Sequence, residues 1–99
     1  MSTAESDPPG EAVRRIIEAA RSQARALDLS RCELTAVPDS VRLLTSLTEL
    51  DLSENWLTAA PDWTGQLDSL TKLNLRGSEL TAVPDSIGRL TSLTELWLG

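Results

Sequence analysis

The chain has 99 residues, the size of one small domain, and 40% of them are hydrophobic, within the globular range. A formal net charge of −6 gives it an acidic surface and weighs against a nucleic-acid partner. Histidine is absent and cysteine occurs once, which excludes histidine-containing triads, a Cys–His pair, an internal disulfide and the usual zinc ligand sets.

The first ten residues, Met1–Gly10, are small, polar and turn-rich, and their charges, Glu5 and Asp7, are acidic. They lack the basic start and apolar core of a secretory signal, and no stretch of the chain approaches transmembrane length. This segment is expected to be a disordered tail or a linker. Glu11–Arg25 is expected to form a helix. Val13, Ile16, Ile17, Ala20 and Ala24 recur at helical spacing as one apolar stripe, with Arg14, Arg15, Glu18, Arg21 and Arg25 mostly off it. The stripe is short and alanine-rich, with little bulk to enter a bilayer, so its expected role is to cover the apolar edge of the first repeat C-terminal to it.

From Ala24 onward the chain repeats itself every 23 residues. The period is marked by Leu27, Leu50, Leu73 and Leu96, by Leu29, Leu52, Leu75 and Leu98, and by Pro38, Pro61 and Pro84. Leucines two apart point to one side of an extended strand and the residue between them to the other. Strands 23 residues apart cannot be hairpin partners, but they can stack in parallel roughly 4.8 Å apart, with the leucines inside. The prolines bar the return path from being a second central strand. Asp39, Asp62 and Asp85 after them are placed to cap short helical turns. Val41 with Leu44, and Ile87 with Leu90, are three apart and predict such turns near Ser40–Leu44 and Ser86–Leu90. The second repeat is weaker: Thr64 stands where Val41 and Ile87 stand, and Trp63 is expected to fold over the gap.

The motif Leu47-x-x-Leu50-x-Leu52-x-x-Asn55-x-Leu57 precedes Ala60-Pro61. It has copies at Ala24-x-x-Leu27-x-Leu29-x-x-Cys32-x-Leu34 and Leu70-x-x-Leu73-x-Leu75-x-x-Ser78-x-Leu80. From about Ala24 to Gly99 the chain thereby resembles the leucine-rich repeat family, in short repeats of the bacterial cytoplasmic type. The resemblance implies an α/β solenoid: a short right-handed superhelix with parallel strands on its concave face and an N-terminal capping helix. It also implies that Asn55 satisfies backbone groups in a buried turn, where Ser78 can make fewer bonds and Cys32 only weak ones. The domains are then a tail over 1–10, a capping helix over 11–25, and leucine-rich repeats over 26–99, three full and one partial. Leu93, Leu96 and Leu98 of the last copy face an uncovered edge. That edge belongs either to a truncated piece of a longer solenoid, the favoured account, or to two copies covering each other.

Function in a solenoid usually lives on the concave face. The residues between the leucines form rows there: Asp28, Asp51, Asn74 and Trp97, beside Ala26, Glu49, Lys72 and Glu95. Ser30, Ser53, Arg76 and Gly99 form the next row, then Arg31, Glu54 and Gly77. The candidate protein-binding set is Asp28, Arg31, Glu49, Asp51, Glu54, Lys72, Asn74, Arg76, Glu95 and Trp97. It is acidic in its first half and basic at the third strand, with Trp97 as an aromatic contact. The competing reading is an ordinary solvated sheet face, in which Arg31 or Lys72 offsets the repulsion between Asp28 and Asp51. Trp56 should face outward, either forming a second patch with Trp63 or packing locally. The glycines make no phosphate-binding loop, no pocket encloses the carboxylates, and no basic patch suits nucleic acid. The expectation is a noncatalytic, cytoplasmic module without cofactor, metal or membrane contact, which recognises an unidentified protein. Two alternatives are a structural unit that self-associates through its open edge and the regulatory fragment of a larger signalling GTPase or effector enzyme.

Overall fold

A computed structural model describes residues 8–78, 80, 81 and 85–98. The expected tail over 1–7, and Glu79, Ala82, Val83, Pro84 and Gly99 of the repeats, lie outside the described residues.

Helix α1 spans Pro8–Ser22, so residues 8–10, expected in the tail, belong to the helix. Prolines are tolerated in a first turn because the N–H groups there have no intrahelical partner. The helix closes earlier than Arg25. Gln23 takes the left-handed conformation (φ 52°) and donates its N–H to the Ala20 carbonyl at 3.4 Å. The Ala24 N–H reaches the Ala19 carbonyl at 2.9 Å. This paired closure satisfies carbonyls that the helix end leaves open.

The buried face of α1 also differs from the expected stripe. Ala12, Ile16 and Ala19 are buried, whereas Val13 is 45% and Ile17 49% exposed and Ala20 faces outward. At 100° per residue, the packing face lies about a quarter-turn from the stripe chosen by side-chain size. The physical reason is approach distance: α1 lies against the first strand, and the alanines let two backbones come close where Val13 and Ile17 would hold them apart.

Four strands come after the helix: β1 (Ala26–Asp28), β2 (Glu49–Asp51), β3 (Lys72–Asn74) and β4 (Glu95–Trp97). They form one parallel sheet in chain order, with Leu27, Leu50, Leu73 and Leu96 in register. The first three of these are buried, and Leu96 at the sheet edge is 37% exposed. A threonine before each of the last three strands extends the pairing. The Arg25 carbonyl accepts the Thr48 and Glu49 N–H groups at 2.7 and 3.0 Å and the Thr48 hydroxyl at 3.2 Å. The Thr48 carbonyl does the same for Thr71 and Lys72, and the Thr71 carbonyl for Thr94 and Glu95.

The return paths are 3₁₀ turns at Asp39–Leu43, Asp62–Gln66 and Asp85–Arg89. The second, expected to be weak, forms like the others: Thr64 is buried and Trp63, half-buried, packs against the core as expected. The expected aspartate caps do not occur at the first two turns. Pro38 and Pro61 hold the N-cap positions without side-chain bonds, so Asp39 and Asp62 fall inside the first turn. There their charge still suits the exposed N–H groups.

Asn55 is 1% exposed and ties two repeats together. Its Oδ1 accepts the Cys32 and Leu34 N–H groups, each at 3.0 Å. Its Nδ2 donates to the carbonyls of Leu29 (3.0 Å), Leu52 (2.9 Å) and Ser53 (3.2 Å). Ser78 occupies the same place one repeat later, and its Oγ is buried without a partner.

Candidate functional site

Alternation along each strand turns one leucine inward and two residues outward, so the sheet presents two aligned rows. The first is Ala26, Glu49, Lys72 and Glu95; the second is Asp28, Asp51, Asn74 and Trp97. In the first row, Lys72 Nζ lies 3.8 Å from Glu95 Oε2, with both side chains a little under half exposed. A pair this exposed contributes at most about 1 kcal/mol, and both groups stay open to a partner.

The second row is bound into the turns at the strand ends. Asp28 Oδ1 accepts the Ser30 N–H at 2.9 Å and the Ser30 hydroxyl at 2.6 Å. Asp51 Oδ1 does the same for Ser53, at 3.0 and 2.6 Å. Asn74 Oδ1 accepts the Arg76 N–H at 3.0 Å. One oxygen of each is thus fixed by its own turn, which sets the side chain's direction. Trp97, 37% exposed, ends the row at the sheet edge beside Leu98, 41% exposed.

Arg31, Glu54 and Gly77 stand on the turns themselves, with φ of 57°, 58° and 72°. Arg31 and Glu54 are exposed there, and Arg76 precedes the third of these turns. Glycine takes this conformation at Gly77 with less strain than Arg31 and Glu54 do at the equivalent places. A Cβ there would sit 2.8 Å from Glu54 Oε2 and 3.2 Å from the Glu54 backbone nitrogen, so the Glu54 side chain would have to move aside. The structure therefore brings Glu49, Lys72, Glu95, Asp28, Asp51, Asn74 and Trp97 onto one face. Arg31, Glu54 and Arg76 form its flanking ridge.

Arg15 belongs to this surface and was not among the expected residues. Its Nη1 donates to the Asp28 carbonyl at 2.9 Å and lies 4.0 Å from Asp28 Oδ1. Its Nε bonds Glu11 Oε2 at 3.0 Å. The sequence carries one trace of this, a glutamate four residues before the arginine, but the contact with Asp28 crosses between elements. The Ser30 hydroxyl above all, with the Ser30 N–H and the nearby Arg15 and Arg31, holds the Asp28 carboxyl below its ordinary range. The Arg15 guanidinium, with Arg14, does the same for Glu11. The charge at Asp28 is thus eased from α1 as well as by Arg31.

Trp56 is 55% exposed, while Trp63 is turned against the core, so only the first of the two offers an open aromatic face. Cys32 is buried and burial pushes its thiol up, which makes it an inert core residue. Among the described residues, no three His, Cys, Asp or Glu side chains are grouped to hold a metal ion, and no helix is long and apolar enough to cross a membrane.

Residues 22–80 match the family model described as leucine rich repeat. The chain belongs to the leucine-rich repeat family. Among solved structures it is similar to a leucine-rich repeat protein of Leptospira interrogans, with 42% sequence identity and a TM-score of 0.63. The likeness covers 65% of this chain and 16% of that one, so the chain spans a small part of that protein's length. No curated protein sequence matches. The family match and the fold agree on a leucine-rich repeat module with parallel strands and an N-terminal helix.

Proposed function

We propose that the exposed face of β1–β4, the concave face of a short solenoid, recognises another protein without catalysing a reaction on it. The observation that carries this reading is the alignment of side chains on a rigid frame. Asp28, Asp51 and Asn74 are pre-aimed by their turns, Glu49, Lys72 and Glu95 alternate in charge beside them, and Trp97 supplies an aromatic anchor. Groups held in place before binding lose little entropy on binding, and a mixed-charge row sets the partner's register. A bacterial relative at 42% identity supports a bacterial origin. The cytoplasmic setting and a signalling role rest on the sequence resemblance, and α1 as an end cap is supported by its packing against β1.

The test is a Glu49→Arg, Arg76→Glu double variant, which spares the turn-forming Asp51. Native and variant domains with equal circular dichroism are used to capture proteins from a lysate of the source cells. A protein held by the native domain and lost by the variant is the expected result; equal retention by both would remove this face from consideration. A second reading is favoured by Leu96, Trp97 and Leu98, which stand 37%, 37% and 41% exposed at the β4 edge. In that reading two copies pair edge to edge. Sedimentation across a concentration series separates the two, since only self-pairing predicts a dimer that Leu98→Glu abolishes.

A further inference from the structure

The Oγ of Ser78 is a buried polar atom with no hydrogen-bond partner among the described residues. One repeat earlier, Asn55 fills the equivalent place and uses both ends of its carboxamide. Oδ1 accepts the Cys32 and Leu34 N–H groups at 3.0 Å, and Nδ2 donates to the Leu29 and Leu52 carbonyls at 3.0 and 2.9 Å. The main chain around the two places is alike. The Leu29 and Leu52 N–H groups donate to the Asp51 and Asn74 carbonyls, both at 2.8 Å. The Arg31 and Glu54 N–H groups donate to the Ser53 and Arg76 carbonyls at 3.1 and 2.8 Å. The groups set around Ser78 are therefore the Asn55 and Leu57 N–H groups, 23 residues after Cys32 and Leu34, with the carbonyls of Leu52 and Leu75.

Those two N–H groups lie inside the molecule, since Asn55 is 1% exposed and Leu57 is fully buried. Among the described residues neither donates to an acceptor. Two donors and a hydroxyl are thus unmatched in one place, where folded proteins rarely leave even one such group bare. Serine is too short to serve the N–H groups itself. Its hydroxyl oxygen stands where asparagine has its carboxamide carbon, one bond short of the accepting atom. The atoms beyond that bond leave room for roughly one water molecule, whose share of liquid volume is about 30 Å³.

We propose that a single buried water molecule binds at Ser78 and completes the turn there. It accepts the Asn55 and Leu57 N–H groups, donates one hydrogen to Ser78 Oγ and turns the other to the Leu75 carbonyl. An internal water is held by two to four such bonds. An anion would suit the two N–H groups but not the carbonyls beside them, and a metal cation would meet two N–H groups, so the site calls for a ligand that both donates and accepts. The first and second repeats are then joined through a side chain, and the second and third through solvent. This site is separate from the sheet face, and neither proposal rests on the other.

Two readouts on the native chain test it. A high-resolution crystal structure should show a water oxygen about 2.7–3.2 Å from Ser78 Oγ and from the Asn55 and Leu57 nitrogens. In solution, the Asn55 and Leu57 amide protons should show water cross-relaxation of the sign given by a molecule that tumbles with the protein. Ser78→Asn should abolish both signals, with its carboxamide oxygen taking the water's place. Ser78→Ala keeps three of the water's four partners and should keep the signals, which separates bound water from an exchanging hydroxyl proton. No density at the site, or a Ser78 Oγ turned onto a protein carbonyl with both N–H groups bonded to protein acceptors, would overturn the proposal. So would amide signals that vanish with Ser78→Ala or survive Ser78→Asn.

Discussion

Replacing Asn55 removes bonds that no neighbouring side chain can supply. Asn55→Ala leaves the Cys32 and Leu34 N–H groups and three carbonyls without their carboxamide partner inside the core. A single unsatisfied buried group costs about 1–3 kcal/mol, so this variant should lose about 3 kcal/mol or more from a total of about 5–15. A urea titration followed by far-ultraviolet circular dichroism measures it. Ser78 presents the opposite case, because its buried Oγ has no partner. Ser78→Asn places a carboxamide 23 and 21 residues after Asn55 and Leu57, the offsets at which Asn55 serves Cys32 and Leu34, and should raise stability by about 1 kcal/mol in the same titration. Asp28 adds a pH dependence. Its carboxyl is held below the ordinary range in the folded chain, so the folded state favours the ionised form. That contribution is complete above the unfolded carboxyl's pKa and is lost as pH falls through the lower, folded value. Asp28→Asn should therefore flatten part of the decline in urea midpoint between about pH 5 and pH 2.

At the scale of one element, α1 gives the sharpest comparison. Ala12 is fully buried and Ala20 is exposed on the same helix. Ala12→Leu should force α1 away from β1 and cost about 1–3 kcal/mol, whereas Ala20→Leu should change stability by no more than about 0.5 kcal/mol. Thermal melts of the two variants check the assignment of the packing face. The helix itself was legible in the sequence because its apolar residues share a period. Which face packs was not, since the pattern records size and the interface selects for close approach. The 3₁₀ turns were legible from proline and the inward residue three positions later. Their N-caps were not: proline itself takes the cap position and pushes the aspartate one residue inward.

At the scale of the whole molecule, the 23-residue period was enough to state the strand order, the parallel pairing and the leucine register. A one-residue slip of this ladder would turn its leucines to the open face. The role of Asn55 was also legible, by its resemblance to a known turn. The outward rows could be named but not sorted. Whether Asp51 serves a turn or a partner depends on the Ser53 hydroxyl two residues away, and Arg15 meets Asp28 only through the packing of α1. The folded molecule then has two unlike surfaces: a mixed-charge sheet face, and an apolar groove between α1 and the first return path.

Since Thr48, Thr71 and Thr94 each bond the residue 23 positions earlier and the strand leucines align at the same offset, the gene can gain or lose whole units in frame without inventing a new contact there. The units are not interchangeable in such an event. If residues 47–69 were deleted, Thr71 would meet the Arg25 carbonyl and Leu73 would meet Leu27 as Thr48 and Leu50 do now. Ser78, however, would face the N–H groups of Cys32 and Leu34 that Asn55 now satisfies. Lineages that vary in repeat number should keep or duplicate the Asn55 unit and shed its neighbours first.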